Sequence, residues 1–202
     1  RVEAAPSLAD LGIPKAPSQR LHTPDEPITV PFPVAIKIDS PDIEHKTEVG
    51  GVELGLRDAQ EAAQAARRVL ERVRATRPQA RIEGVIAATM QQGLGEAILG
   101  YRLDLQVGPL VLVGAGGTLA ELYRDFALRL APVTPEEARE MIAEVRGFAL
   151  LRGYRNALRG DLEALAQAVV RFSQLAARPE VAEAEINPLV VKAEGVVGVD
   201  AL

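Results

Sequence analysis

Residues 34–52 read V-A-I-K-I-D-S-P-D-I-E-H-K-T-E-V-G-G-V and carry the signals that decide the fold. The first six residues alternate strictly, which predicts a strand with three β-branched side chains on one face and Lys37 on the other. The polar stretch that follows has no period and holds His45, one of two histidines in the chain, so we interpret it as a loop. After a pair of glycines, residues 52–56 predict a second short strand.

Two side chains of this stretch are candidates for phosphate chemistry. A lysine on a cleft wall is a point charge that suits nucleotide phosphates, although a lone strand lysine such as Lys37 is more often simply solvated. An imidazole on a polar loop can act as a nucleophile near neutral pH, although a lone loop histidine such as His45 is more often an idle surface residue. The paired glycines at the end of the loop let the backbone approach another group closely.

The composition is that of an ordinary globular protein. The 202 residues are 48% hydrophobic and 25% charged, with a formal net charge of −5, which suits one domain or two small lobes. No segment concentrates Lys and Arg, so nucleic acid is not an expected partner. No apolar run approaches the roughly 20 residues that span a bilayer, so no membrane partner is expected either. The absence of cysteine excludes disulfides and thiolate metal sites and favours a cytoplasmic location.

Outward from this stretch, the sequence predicts a mixed order of helices and strands. Three segments with the 3.6-residue apolar period are predicted to be helices: residues 58–74, 134–145 and 161–177. Further short strands are predicted at residues 84–90, 96–103, 109–113, 119–123, 181–191 and 196–202. The proline-rich residues 1–32 are expected to be irregular. This order predicts an α+β fold with mostly antiparallel sheets, each packed by helices.

Two further features suit a nucleotide and its metal. The run V-G-A-G-G-T at residues 113–118 lacks the spacing of a Walker loop or a Rossmann fingerprint, yet the backbone N–H groups of Gly116 and Gly117 can bind an oxyanion. In the terminal hairpin, Glu185 and Asn187 share a face, and a two-residue turn would add Asp200 to it.

Oxygen atoms of this kind are what Mg²⁺ takes together with nucleotide phosphates. The plain alternatives are a tight turn for the glycine run and a polar outer face for the hairpin. Taken in order, the lysine strand, glycine loop and hairpin supply the cation, phosphate cradle and metal that phosphoryl transfer needs.

Five ordered blocks of sequence carry a resemblance to a known family. The blocks are P-V-A-I-K-I-D-S-P-D-I-E-H-K-T-E-V-G-G-V, G-E-A-I-L-G-Y-R-L-D with V-G-P-L-V-L-V-G-A-G-G, R-L-A-P-V, E-I-N-P-L-V-V and G-V-V-G-V-D-A. From about residue 30 onward the chain resembles the ATP-grasp domain of ADP-forming acyl-CoA synthetases, relatives of the succinyl-CoA synthetase β chain. One departure is T-P-D-E-P-I-T-V-P-F at residues 23–32, where a helix usual in the family is shortened.

The resemblance implies an ATP-grasp fold over residues 1–202. Residues 1–32 would be a lead-in, about 33–91 a smaller lobe with the lysine and hinge, and about 92–202 a larger, metal-binding lobe. The implied cofactors are ATP or ADP and Mg²⁺, and the implied partner is a CoA-binding synthetase domain or α subunit.

The resemblance also implies roles for individual residues. His45 would accept phosphate and carry it to or from the nucleotide, with Glu185 near the transferring phosphate. Mg²⁺ would be bound by Asn187 and Asp200. The implied nucleotide contacts are Lys37 at the phosphates, Ala88 and Met90 at the adenine through backbone groups, Glu96 near the ribose, and the glycine loop with Gly116 and Gly117.

The implied activity joins an acid and CoA at the expense of ATP, giving acyl-CoA, ADP and phosphate through a phosphohistidine. Nothing in the sequence resembles the CoA-binding half, so we expect the chain to supply only the ATP-grasp part. Two alternatives are a non-catalytic module that senses nucleotide or acyl-CoA beside a lysine acetyltransferase, and a carboxylate–amine ligase. His45 argues against both, because such modules often lack the loop histidine and such ligases do not need it.

Overall fold

The chain forms two compact units. A computed structural model describes residues 7–43, 45–117 and 124–201. One unit spans residues 16–90, and the other combines the residues before position 16 with those from position 91 onward.

The unit of residues 16–90 is a four-stranded antiparallel sheet with one helix. Its strands follow the order β1-β4-β2-β3 and comprise Ser18–Leu21 (β1), Val34–Asp39 (β2), Val52–Leu56 (β3) and Gly84–Thr89 (β4). Helix α1, Ala59–Thr76, begins where the Asp58 carboxylate accepts the Glu61 N–H at 2.8 Å. Its apolar stripe packs on one face of the sheet, with Val34, Ile36 and Ile38. The other face of β2 therefore carries Lys37.

The second unit is a five-stranded antiparallel sheet with two helices. Its strands follow the order β7-β6-β5-β8-β9 and comprise Gly95–Asp104 (β5), Gly108–Ala115 (β6), Phe126–Leu130 (β7), Glu183–Val191 (β8) and Val196–Gly198 (β9). Helices α2, Pro135–Glu144, and α3, Leu162–Ser173, bury their apolar residues in one core against the sheet. Short 3-10 turns lie at Arg146–Ala149, Tyr154–Asn156 and Gln174–Ala177.

The predicted fold class is confirmed: both sheets are antiparallel and each is packed by helices. The capping box of α2 is present, with the Thr134 hydroxyl and the Glu137 carboxylate each accepting the other residue's backbone N–H. The regular part of α3 ends at Ser173 and continues as a 3-10 turn to Ala177. The strand predicted at residues 119–123 lies outside the described residues. No described helix combines the length and apolarity that crossing a membrane would require.

Two strands were not predicted from the sequence. β1 falls in the segment expected to be irregular, and of its four residues only Leu21 is buried. Such a strand gives no alternating apolar signal, and it forms because it pairs along β4. β7 exposes its large apolar side chains, Phe126, Leu128 and Leu130, and buries the small Ala127. In an ordinary half-buried strand the large apolar side chains are the buried ones, so this pattern is reversed.

Candidate functional site

The four-stranded sheet presents Lys37 and Ala88 on the same face. Lys37 lies opposite Ile86, and Ala35 lies opposite Ala88, in the pairing of β2 with β4. Because directly opposed residues of antiparallel strands share a face, both candidates lie on the side away from α1. Lys37 is half-buried there, whereas Ala88 is buried.

The backbone groups expected to meet adenine already serve the sheet. Ala88 lies in an interior strand and is paired with Ser18 on one side and Ala35 on the other. The Met90 N–H donates to the Pro33 carbonyl at 2.9 Å. Adenine recognition through that N–H would require this hydrogen bond to break.

The loop between β2 and β3 carries the exposed His45, and hydrogen bonds hold the backbone on both sides of this residue. On the β2 side, the Asp42 carboxylate accepts the Arg81 N–H at 2.6 Å. On the β3 side, the Gly51 N–H donates to the Lys46 carbonyl at 2.8 Å, and the Gly51 carbonyl accepts the Ile38 N–H at 2.7 Å. His45 itself is exposed.

The close approach expected of the paired glycines occurs at Gly51. A Cβ at this position would lie 2.7 Å from the Ile38 side chain and 2.8 Å from the Lys46 carbonyl oxygen. Only glycine fits without displacing β2 or the loop, so Gly51 fixes the base from which His45 projects.

In the second unit, a bulge shapes the hairpin that carries the candidate metal ligands. Between Ile186 and Leu189, β8 has one residue more than β5 has between Leu99 and Ala97. Both Ile186 and Leu189 are fully buried, whereas the two residues between them, Asn187 and Pro188, are half-buried. The bulge therefore keeps Asn187 out of the core.

Asn187 lies opposite Asp200, as the predicted register requires. Leu189 pairs with Gly198 and Ile186 bridges Ala201, so both strands advance by the same number of residues through the irregular part. The Asn187 N–H donates to the Asp200 carbonyl at 3.1 Å. Opposed positions share a face, which supports the predicted juxtaposition of the two side chains.

The same face of the five-stranded sheet carries both glutamate candidates. Glu96 and Gly100 are four residues apart on β5, so they lie on the same face of the sheet. Glu185 on β8 lies opposite Gly100 and therefore shares that face. Leu99 and Tyr101 alternate with these positions and lie in the core with α2 and α3. The candidate acids thus lie on the face of the sheet that points away from α2 and α3.

A cavity of about 780 Å³ opens at the Glu96 end of β5. Its walls combine apolar side chains, glycine backbone and four charged residues. The lining residues that matter below are Glu96, Ala115, Gly116, Asp125, Arg146 and Gly147. A volume of this order is typical of small-molecule sites.

Gly116 of the glycine loop forms part of the cavity wall, but its backbone N–H is not available to bind an anion. The Gly116 N–H donates to the Glu96 carbonyl at 2.7 Å, and a Cβ on Gly116 would lie 2.8 Å from the Glu96 Cβ. That N–H is therefore occupied, and an anion contact by backbone N–H would fall to Gly117, whose φ is +91°.

The structure places Asp125 in the cavity wall, although sequence analysis did not identify it as a candidate. Its carboxylate accepts the Arg146 N–H at 3.0 Å and the Gly147 N–H at 2.5 Å. No local motif marks an aspartate whose partners lie in a distant turn.

The candidates fall into three local groups. Glu96 and Gly116 line the cavity, whereas Glu185, Asn187 and Asp200 lie at the hairpin and do not line it. Lys37, His45, Ala88 and Met90 belong to the other unit.

The hairpin suits a metal that takes few protein ligands. Across the described ranges, no three His, Cys, Asp or Glu side chains cluster closely enough to hold a metal ion. One asparagine and one aspartate at opposed positions fit Mg²⁺ instead, because this ion uses one or two protein oxygens and completes its shell with phosphates and water.

Comparison with known proteins decides the family. The model of the ATP-grasp domain matches residues 1–202. The chain belongs to the ATP-grasp domain family. This confirms the resemblance carried by the five sequence blocks.

Curated relatives of this ATP-grasp domain include several ADP-forming acetate–CoA ligases. The β subunit of acetate–CoA ligase I of Pyrococcus furiosus is 38% identical over 171 residues, which cover 84% of this chain and 74% of the relative. Acetate–CoA ligase I of Archaeoglobus fulgidus is 37% identical over 203 residues, which cover 98% of this chain. The chain spans only 30% of the length of the Archaeoglobus enzyme.

Solved structures show the same ATP-grasp architecture. The dinucleotide-forming acetyl-coenzyme A synthetase 1 of Ca. Korarchaeum cryptofilum, in complex with coenzyme A and Ca-AMPCP, superposes with a TM-score of 0.90 at 35% identity, covering 96% of this chain and 87% of that one. A second structure of that enzyme, with Mg-AMPPCP, has a TM-score of 0.80 at 33% identity and covers 96% and 86%. It is described with a phosphohistidine segment pointing towards the nucleotide binding site.

Proposed function

We propose that this ATP-grasp domain is the phosphoryl-transferring part of an ADP-forming acyl-CoA synthetase, passing phosphate between a nucleotide and His45. The observation that carries the proposal is the geometry of the β2–β3 loop. Hydrogen bonds of the Asp42 carboxylate on the β2 side and of the Gly51 backbone on the β3 side hold the two ends of this loop, and His45 between them is exposed. A nucleophilic side chain must be accessible, and the backbone from which it projects must be held in place.

The cavity beside Glu96 is the proposed site of nucleotide binding. Its volume and its apolar walls with a few polar groups suit a nucleoside. Lys37 is the proposed cation for the phosphates, because it is a half-buried ammonium on the face of its sheet away from α1. The binding of Mg-AMPPCP by the Korarchaeum relative supports a nucleotide with Mg²⁺ as the ligand.

The proposed step is an in-line transfer. A neutral ring nitrogen of His45 forms a bond to the γ-phosphorus while the bond from that phosphorus to the bridging oxygen of ADP breaks. ADP leaves, the second ring nitrogen releases its proton, and the reverse reaction makes ATP. Mg²⁺, when held by Asn187 and Asp200, would offset negative charge on the phosphate oxygens. Glu185, on the same hairpin, is the proposed acid near the transferring phosphate.

The complete reaction requires a second component. The relatives include a protein named as a β subunit and a ligase more than three times the length of this chain. We therefore infer a CoA-binding domain or α subunit as the partner that exchanges phosphate with His45 and carries the acyl chemistry.

Labelling with ATP tests the proposal. After incubation with γ-³²P-ATP and Mg²⁺, we expect wild type to carry phosphate that is stable in base and lost in acid, as phosphohistidine is. His45→Ala should lose this label completely. His22→Ala is the matched control, because His22 is the other histidine and is also exposed, and it should label like wild type. Equal labelling of wild type and His45→Ala would show that the relay role is wrong.

A further inference from the structure

Asp125 joins three segments that form the wall of the cavity. Its backbone carbonyl accepts the Ala115 N–H at 3.1 Å, at the end of β6. Its side chain reaches the turn after α2, where Oδ1 accepts the Arg146 N–H at 3.0 Å and Oδ2 accepts the Gly147 N–H at 2.5 Å. All four residues line the cavity.

The charge of Asp125 suits this bidentate role. An ionised carboxylate offers two acceptor oxygens and no donor, so both N–H groups can bind it at once. Hydrogen bonds to an ionised acceptor are shorter and stronger than those between neutral groups. A neutral side chain of the same shape, such as asparagine, can satisfy only one of the two N–H groups.

The backbone beside Asp125 adopts a conformation that needs support. Arg124 has a φ of +49°, a left-handed conformation that is uncommon for residues other than glycine. Such a conformation persists when the surrounding structure holds it in place. The three hydrogen bonds of the next residue supply that restraint, at a position that itself lines the cavity.

We propose that Asp125 is a positioning residue for the nucleotide. It fixes the turn at Arg146 and Gly147 against the end of β6, next to the contact between Gly116 and Glu96. The proposal rests on the proposed function, because it assumes that the cavity takes the nucleotide, and it adds a residue that acts on binding through the wall without touching the phosphate.

Asp104 offers a matched control in the same unit. Its carboxylate accepts the N–H groups of Gln106 and Val107 at 2.8 and 3.0 Å, in the turn between β5 and β6. One oxygen, Oδ1, accepts both N–H groups, so this carboxylate also anchors a turn, but it does not line the cavity. Asp104→Asn removes the charge of a carboxylate that anchors a turn in the same unit, so a general effect of losing such a charge should appear at Asp104 as well as at Asp125.

The test is the binding of ADP by calorimetry, at a temperature where circular dichroism shows every variant folded. Asp125→Asn should bind ADP about tenfold more weakly than wild type, since one charge-assisted hydrogen bond is lost. Asp104→Asn should bind ADP like wild type, even if its Tm falls. Asp125→Glu keeps the charge but displaces the oxygens by one carbon–carbon bond, and its affinity should fall between wild type and Asp125→Asn.

The outcomes separate this inference from the proposed function. If wild type binds ADP and Asp125→Asn binds it equally well, Asp125 has no positioning role and the proposed function stands. Equal losses of affinity in the Asp125 and Asp104 variants would also overturn the inference. If wild type binds no ADP, both the proposed function and the inference are wrong. Should Asp125→Asn fail to fold, undiminished binding by Asp125→Glu would overturn the inference.

Discussion

At the scale of single residues, Gly51 is the position on which the His45 loop depends most. Its backbone is bonded to Lys46 on the loop side and to Ile38 on β2, and no space is left for a side chain. A loop that carries a nucleophile needs such an anchored residue, because misplacement of the reacting atom lowers the reaction rate.

We predict that Gly51→Ala destabilises the protein by about 1–3 kcal/mol, as overpacking does. The added Cβ would overlap Ile38 and the Lys46 carbonyl. The measurement is urea unfolding followed by circular dichroism. Gly100→Ala is the control, because a Cβ there meets Leu112 at an ordinary 3.6 Å, and we expect its stability to stay within about 0.5 kcal/mol of wild type. Equal midpoints for Gly51→Ala and wild type would contradict the close contact.

The placement of Lys37 on a strand, and of His45 on a loop that ends in paired glycines, could be predicted because these signals are local. Strand alternation and a polar loop are visible within a few neighbouring residues. Asp125 could not be predicted, because its partners lie 21 and 22 residues away and its neighbourhood carries no motif. The occupied N–H of Gly116 also depends on a distant residue, the Glu96 carbonyl, so the sequence could not exclude it as a donor.

At the scale of elements, Asp161 couples the start of α3 to the hairpin of β8 and β9. Oδ1 accepts the Ala164 N–H at 2.9 Å as a helix cap, and Oδ2 accepts the Gly195 N–H at 2.8 Å in the hairpin turn. These bonds, first to Ala164 and then to Gly195, hold the pKa of the Asp161 carboxyl below its ordinary value of 3.8. The hairpin with Asn187 and Asp200 is thus tied to the helix layer.

The lowered pKa gives a stability difference that depends on pH. A carboxyl whose pKa is lower in the folded state stabilises it above the unfolded pKa, and this contribution is lost as pH falls through the folded pKa. We predict that Asp161→Ala costs about 1–2 kcal/mol at pH 7, where the cap is ionised. Urea unfolding gives the free energy of unfolding of wild type and variant, and the difference between the two should decrease as pH falls below about 4. A gap that is the same at pH 7 and pH 3 would contradict the role of the ionised carboxylate.

The elements themselves were predicted where their patterns were strong. The long helices and the strand β2 have one buried face, which gives each a clear period. β1 and β7 lack that period, because β1 is polar and β7 turns its larger side chains outward. Both lie at sheet edges, where pairing with a single neighbouring strand defines them.

At the scale of the whole molecule, the resemblance carried more information than composition or periodicity. Five ordered blocks identified the ATP-grasp family, which the comparisons confirm. Composition alone indicated only a globular chain with no basic surface. The structure adds the cavity, the bulge at Asn187 and the anchored loop, each of which depends on long-range pairing between strands.

The exchange of radiolabel between ADP and ATP measures whether phosphate moves reversibly between the nucleotide and His45, as we propose. With Mg²⁺, ATP and labelled ADP, but without acid or CoA, wild type and His22→Ala should both form labelled ATP, since a phosphoenzyme returns its phosphate to any bound ADP. Addition of EDTA should stop the exchange, and His45→Ala should show none. Exchange by His45→Ala at the wild-type rate, or no exchange by wild type, would show that His45 does not pass phosphate to and from the nucleotide.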